Sequence, residues 1–304
     1  MLSWVKNTYR RWDSFWFGSV SPYPVSAFRV LFGLFILFYF LQFLPHISLS
    51  FSNEGIYIPF LVGDVAPGPG RAGLIYFYTI GLNIAFILGY RTRVVTPIFL
   101  LMFLYHYLLN MAVKHCSYDI IMLTLLLILC FGDLDKVWSV RPSRPAGQDT
   151  AGTRILAWAP RLIMVYIALI YFGMAVYKMS DPRWWESGLM LQRNLQNYWA
   201  TPLAFKISRL DLPLWFFTAL SWLTIALELF CSFAFFIRPI RRYAFWGGFI
   251  FHFLVMILLG LPEFMFMPLT YVVFMDADKV RARGDEYLEF LRKSLKWLQK
   301  KNTA

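Results

Sequence analysis

Apolar runs of membrane length, joined by short turns where arginine and lysine collect, leave this chain few possible folds. The runs fall at about 24–44, 74–88, 94–111, 118–131, 156–177, 214–237, 243–259 and 264–275. A helix needs about 20 predominantly apolar residues to cross the hydrocarbon core. In lipid every backbone N–H and C=O must be satisfied within the protein, which leaves helices and closed barrels. The runs are continuous rather than alternating, so they read as helices. The expected fold class is all-α: a polytopic membrane helix bundle of about eight transmembrane helices. The last run, 264–275, is short. It tilts little, thins the bilayer, or stops short of a full crossing. Hydrophobic residues make up 59% of the chain and charged residues 15%. A soluble chain carries about 25% charged residues, so the surface of a soluble domain this long cannot be built from this composition.

The formal charge of +12 would suit nucleic acid in another context. Here the basic residues concentrate in turns and at the C-terminus, as expected beside an anionic cytoplasmic leaflet. With the N-terminus in the cytoplasm, Arg91 and Arg93, the 132–154 loop, the Arg238–Arg242 turn and the tail all fall inside. The 46–73 loop and the turns at 112–117 and 260–263 fall outside and hold few positive charges. Both termini are therefore expected to be cytoplasmic. The 178–213 loop is an outside segment with several positive charges, and its length weakens its vote. The expected partner is membrane lipid, with no nucleic acid. The expected location is a multi-pass place in a membrane, the inner or plasma membrane in a bacterium.

Residues 1–23 alternate aromatics (Trp4, Trp12, Phe15, Trp16) with Lys6, Arg10 and Arg11, and read as an interfacial amphipathic arm or a solvated one. Residues 24–278 form the transmembrane domain. Residues 279–304 read as a basic amphipathic tail with Tyr287, Phe290, Leu291, Leu295, Trp297 and Leu298 on its apolar side. The first apolar run follows a polar arm containing prolines and is expected to be retained rather than cleaved. Cys116, Cys130 and Cys231 form no CxxC pair and read as small apolar core residues.

The chemistry-bearing residues sit at the edges of the runs. The stretch from Tyr166 to Leu189 begins as an apolar helix and ends in Lys178, Asp181, Pro182, Trp184, Trp185 and Gly188. An ammonium at the mouth of an apolar helix is a snorkelling anchor or a tuned base, because desolvation disfavours the charged form of an amine. Under the expected topology, Lys178, His115, Glu263 and His46 all reach the outer face. His115 and Asp119 are four apart, so a carboxylate can orient the imidazole if the helix begins early; His106 and Asn110 share a face in the same way. Arg29 and Glu228 lie inside spans. They read as functional charges or as a buried ion pair, and His252 as a ligand group or as hydrogen-bonding glue to Glu228. No HxxxH or HExxH spacing occurs, so no metal site is expected.

Four segments, in order, are similar to those of the vitamin K-dependent gamma-carboxylase-like family, the HTTM domain. They are Ala27-Phe28-Arg29-Val30-Leu31-Phe32-Gly33; His115-Cys116-Ser117-Tyr118; Tyr171 to Lys178 with Trp185 and Gly188; and Phe251-His252. The resemblance covers residues 20 to 278. It implies an integral membrane enzyme that deprotonates a hydroquinone, which with dioxygen yields a base strong enough to take a proton from glutamate, after which carbon dioxide adds. By resemblance Lys178 deprotonates the hydroquinone and His115 stabilises the reacting intermediate. A reduced quinone, vitamin K hydroquinone or menaquinol, is then the expected cofactor. His252, Tyr118, Trp185 and Arg29 are the expected binding residues, with Asp119, Glu228 and Glu263 supporting them. A small-molecule or protein substrate is expected on the outer face.

The chain departs from the family in two places. Full carboxylases carry a large lumenal domain after the membrane part, where this chain has only its tail. Tyr177 stands where the carboxylases have a second lysine. The expectation is therefore a quinol site without protein glutamate carboxylation. The other readings are a non-catalytic membrane partner subunit or small-molecule carrier, and a DoxX-like quinone-linked membrane subunit.

Overall fold

The computed structural model describes residues 2–58, 62, 65–112, 117–141, 153–210 and 212–302, with the side chains among these from 6 to 290. The described residues are predominantly helical, with almost no strand. The helices are α1 (Leu2–Phe17), α2 (Tyr23–Leu41), α3 (Ile47–Phe51), α4 (Pro69–Ile87), α5 (Thr92–Asn110), α6 (Ser117–Cys130) and α7 (Trp158–Met179). They continue with α8 (Pro182–Trp185), α9 (Leu189–Asn194), α10 (Pro202–Ser208), α11 (Leu214–Ala234), α12 (Arg241–Leu259), α13 (Phe266–Thr270) and α14 (Ala277–Asn302). Among the described residues, six helices are long and apolar enough to cross a membrane, the first being α2 with its continuation to Phe51. The others are α4, α5, α7, α11 and α12. Two shorter apolar segments, α6 and Pro262–Phe274, fall at the fourth and eighth runs.

Membrane embedding shows in what the helices leave uncovered. Only 17% of the most apolar window of α12 is buried within the protein, and 28% of that of α11. Trp246, Ile250, Leu254, Leu223 and Phe233 stand exposed on these helices. A soluble monomer does not carry apolar surface on this scale, and lipid is the solvent that accepts it.

Several helix starts differ from the sequence expectation, the third span beginning at Thr92 and the seventh at Arg241. The second span begins at Pro69 rather than at 74. Its Pro-Gly-Arg-Ala-Gly opening reads as loop, but proline at the first helical position costs nothing, since that N–H has no intrahelical partner. The fifth span begins at Trp158, because Ile155–Leu156 pairs antiparallel with Ser19–Val20 in a two-stranded ribbon. The 178–213 segment holds three short helices, α8, α9 and α10.

The chain divides into two compact units, residues 1–161 with 272–304, and residues 162–271. In the first, α2, α4, α5 and α6 pack in sequence order, and α14 packs on α2. Its core is aromatic: Phe28, Phe32, Phe40, Tyr76, Phe86, Phe99 and Phe103 are all buried. Arg29 lies fully buried among them. Its two Nη atoms donate to the Leu134 and Trp138 carbonyls at 2.6 and 2.5 Å. A guanidinium spends its fork geometry well on two fixed oxygens, so Arg29 clamps the 134–138 loop. Trp138 in turn donates to Asp285 of α14 at 3.2 Å. In the second unit, α11 and α12 pack as a hairpin, and α9 and α10 lie on this pair.

Candidate functional site

Three helices of the second unit each bury one stripe, and polar groups sit on all three stripes. On α7 a buried face runs through Ile163, Ile167, Tyr171, Ala175 and Lys178, spaced three or four apart as one helical face requires, with Ala159 and Ala168 also buried. On α11 the buried face holds Phe217, Ser221, Ile225, Glu228 and Cys231, with Ser232 and Ala234 also buried. On α12 the buried residues are Ala244, Gly248 and His252. The remaining faces are largely apolar and exposed, so burying these polar stripes together is how the unit keeps them out of lipid.

Lys178 lies in the last turn of α7. Its Nζ donates to both oxygens of Glu228, at 2.7 and 2.9 Å. The two side chains are only 7% and 5% exposed. The partner of the amine comes from a helix 50 residues further on. The Lys178 ammonium also lies 5.4 Å from the centre of the buried Trp184 ring, within cation–π range.

The turn after the lysine is held by its own chemistry. Asp181 caps α8 by accepting from the Arg183 backbone N–H at 3.0 Å, with Pro182 at the first helical position. Pro182 thus opens a new helix, and α7 has already ended at Met179. The Arg183 guanidinium donates to both Asp181 oxygens and holds that carboxyl below the usual carboxylate range. Gly188 then takes a left-handed conformation, φ +63°, against the backbone of Phe217 and Thr218. A side chain there would strain the turn and strike α11.

Beside the ion pair lies a chain of hydroxyl and imidazole groups. Tyr171 lies on the same α7 face as Lys178, about two turns earlier. Its hydroxyl is 2.8 Å from His252 Nε2 and also bonds the Tyr271 hydroxyl. His252 Nδ1 has no partner among the described residues. Tyr271 stacks on Phe245, with centroids 5.5 Å apart, and its hydroxyl fills the space that a Cβ on Gly248 would occupy. Tyr171→Phe leaves His252 Nε2 and the Tyr271 hydroxyl short of a partner. The expected cost is about 1–3 kcal/mol, read as a lower denaturant midpoint of the purified protein. Tyr271→Phe, which leaves the Tyr171–His252 bond intact, is expected to cost less.

The sequence-predicted residues separate as follows. Lys178, Glu228, His252 and Trp185 belong to the second unit. Trp185 pairs edge-on with Trp222 of α11, centroids 6.1 Å apart. Glu263 is buried in the 3-10 turn Pro262–Met265 of that unit. His115 lies outside the described residues. Tyr118 and Asp119 are buried in the first turn of α6, in the first unit. His106 and Asn110 do share a buried face of α5. With Phe40, Phe51 and Asp119 they line a cleft of about 10 Å³, room for roughly one water and too small for an aromatic ring. His106 Nδ1 donates to the Met102 carbonyl at 2.7 Å. The ion pair between Arg29 and Glu228 considered from sequence is replaced by Arg29 with two carbonyls and Glu228 with Lys178.

Tyr171, Tyr271 and Trp184 escaped the sequence reading. Tyr171 was legible in principle, since it lies seven residues before Lys178 and therefore on the same helical face. Tyr271 comes from the weakest apolar run, and nothing local marks it.

Helices of membrane length, apolar outer faces and a buried charged pair define an integral, multi-pass membrane protein of helical type. The HTTM-domain family model matches residues 17–278, and the chain belongs to this family of vitamin K-dependent gamma-carboxylase-like proteins. Searches of curated proteins and of solved structures returned no match.

Proposed function

We propose that this chain is a gamma-carboxylase-like membrane enzyme that uses a lipid-soluble quinol, with Lys178 as the base and Glu228 as its proton partner. The observation that carries this reading is the Lys178–Glu228 pair, 7% and 5% exposed, within a membrane-embedded unit. Ionisable groups inside membrane helices are costly and mark function by default. Stability does not account for the pair. Apolar residues of similar size in place of a buried ion pair are often neutral or stabilising.

The residues suit a planar aromatic ligand bearing hydroxyls. Trp184 Nε1, Trp185 Nε1 and Ser221 Oγ are buried and lack partners among the described residues. These groups are hydrogen-bond donors, Ser221 an acceptor as well, and the tryptophans are flat rings on which a quinol can stack. A bound quinol would supply acidic hydroxyls and the reducing electrons for dioxygen. What the chain does is hold and move a proton. Glu228 takes one from Lys178 Nζ, leaving a neutral amine and a neutral carboxylic acid. That amine can accept a proton from a hydroxyl and return to the ammonium form, with its charge then balanced by the anion formed. Tyr171 and His252 extend the path by which a proton leaves the pair.

The six long helices with α6 and Pro262–Phe274 make eight crossings with both termini cytoplasmic, as the distribution of basic turns favours. A 14-residue α6 spans about 21 Å at 1.5 Å per residue, so the bilayer is thinned there. Lys178 then lies at the outer end of the fifth crossing.

Quinone mass spectrometry of the purified protein tests the ligand. Wild type supplied with menaquinone is expected to retain it, and Trp184→Leu/Trp185→Leu to retain at least about fivefold less, as loss of two stacking contacts implies. Equal retention by the two proteins contradicts the assigned site.

A further inference from the structure

A basic groove lies on the first unit. It has a volume of about 540 Å³ and is lined by Asn7, Arg10, Arg11, Ser14 and Phe15 of α1 and by Arg161 of α7. It is shallow and open rather than enclosed. None of the described residues lining it is acidic. Positions 7, 10, 11 and 14 share one face of α1, while Tyr9, Trp12 and Trp16 share the opposite face. Tyr9 and Trp12 are exposed, at 69% and 61%. The helix therefore separates an aromatic side from a cationic one, as an interfacial helix does.

The third arginine is fixed in place. Arg161 Nη1 donates to the Ser14 carbonyl at 2.9 Å, and its guanidinium lies 4.5 Å from the centre of the Phe15 ring. One of its five N–H donors is spent on that carbonyl, and the others remain for a ligand. The level of the groove is fixed as well. The ribbon pairing Ser19 with Leu156 and Val20 with Ile155 ties the end of α1 to the start of α7. Arg161 is the fourth residue of that membrane-length helix, so the groove opens at headgroup depth.

We infer that this groove binds the phosphate of an anionic phospholipid, with Arg10, Arg11 and Arg161 as the cationic donors. Three guanidiniums at headgroup level match a phosphodiester, the aromatic face seats α1 in the interface, and the volume admits a glycerol headgroup.

The full chain, solubilised in a neutral detergent, is titrated with short-chain phosphatidylglycerol, phosphatidylcholine of the same chains, and inorganic phosphate, with binding read by native mass spectrometry. Phosphatidylglycerol is expected to bind wild type well above the other two. Arg10→Gln/Arg11→Gln/Arg161→Gln is expected to bind it about tenfold or more weakly. Arg238→Gln, an exposed arginine outside the groove, is expected to bind as wild type. Arg10→Gln/Arg11→Gln keeps the Arg161–Ser14 bond, serves if the triple variant fails to fold, and is expected to lose about threefold or more. Unchanged binding by the groove variants overturns the inference. So does an equal loss in Arg238→Gln, which would mean a diffuse field, or inorganic phosphate binding as tightly as the lipid, which would mean a free-anion site.

Discussion

Glu228→Ala is expected to destabilise the second unit by about 3–5 kcal/mol. The substitution strands the Lys178 ammonium, whose ion partner is Glu228, in a site that is 7% exposed. A buried charge without a partner carries its full desolvation cost, and Trp184 at 5.4 Å offsets only a little of it. The joint replacement Lys178→Met/Glu228→Leu behaves differently. It removes both charges and fills the same space with apolar atoms, so it is expected to be neutral or more stable than wild type. Unfolding of the detergent-solubilised protein, followed by tryptophan fluorescence against denaturant, measures all three. A Glu228→Ala midpoint equal to wild type would show that the pair is reached by water. A double variant as unstable as Glu228→Ala would show that the pair is a structural requirement.

The second large effect concerns activity. Lys178→Met removes the amine proposed as the base and retains the length of the side chain. Quinol-dependent oxygen uptake is expected to fall by about 10²–10⁴, the usual contribution of a positioned general base. Glu228→Gln keeps a hydrogen-bonding oxygen near Nζ but takes up no proton, so the amine stays in its protonated form more of the time. Its rate is expected between those of wild type and Lys178→Met. A Glu228→Gln rate at the wild-type level would remove Glu228 from the proton path.

Much of the fold was legible because its signal is local. Run length and the positions of Arg91, Arg93, Arg238 and Arg241 report on spans and turns residue by residue. The Pro69 start was missed because Gly70 and Gly73 look like loop, although a helix with lipid around it tolerates both. The order of the Arg29, His115, Lys178 and His252 segments was enough to identify the family. The pairings were not legible. Lys178 and Glu228 are 50 residues apart, and Tyr171 and Tyr271 are 100 apart. Which buried carboxylate meets which buried base depends on how α7 turns against α11, and periodicity within either helix leaves that angle open. Arg29 illustrates the same limit. Its depth invites an acidic partner, yet two backbone carbonyls of a loop satisfy it.

The most direct test uses the double variant, whose fold the unfolding measurement checks independently. Wild type and Lys178→Met/Glu228→Leu are reconstituted in proteoliposomes with menaquinol, and oxygen consumption is recorded. Wild type should consume oxygen in proportion to added quinol, while the well-folded double variant should stay at the rate of empty vesicles. A double variant that keeps the wild-type rate would contradict a proton-handling role for the buried pair.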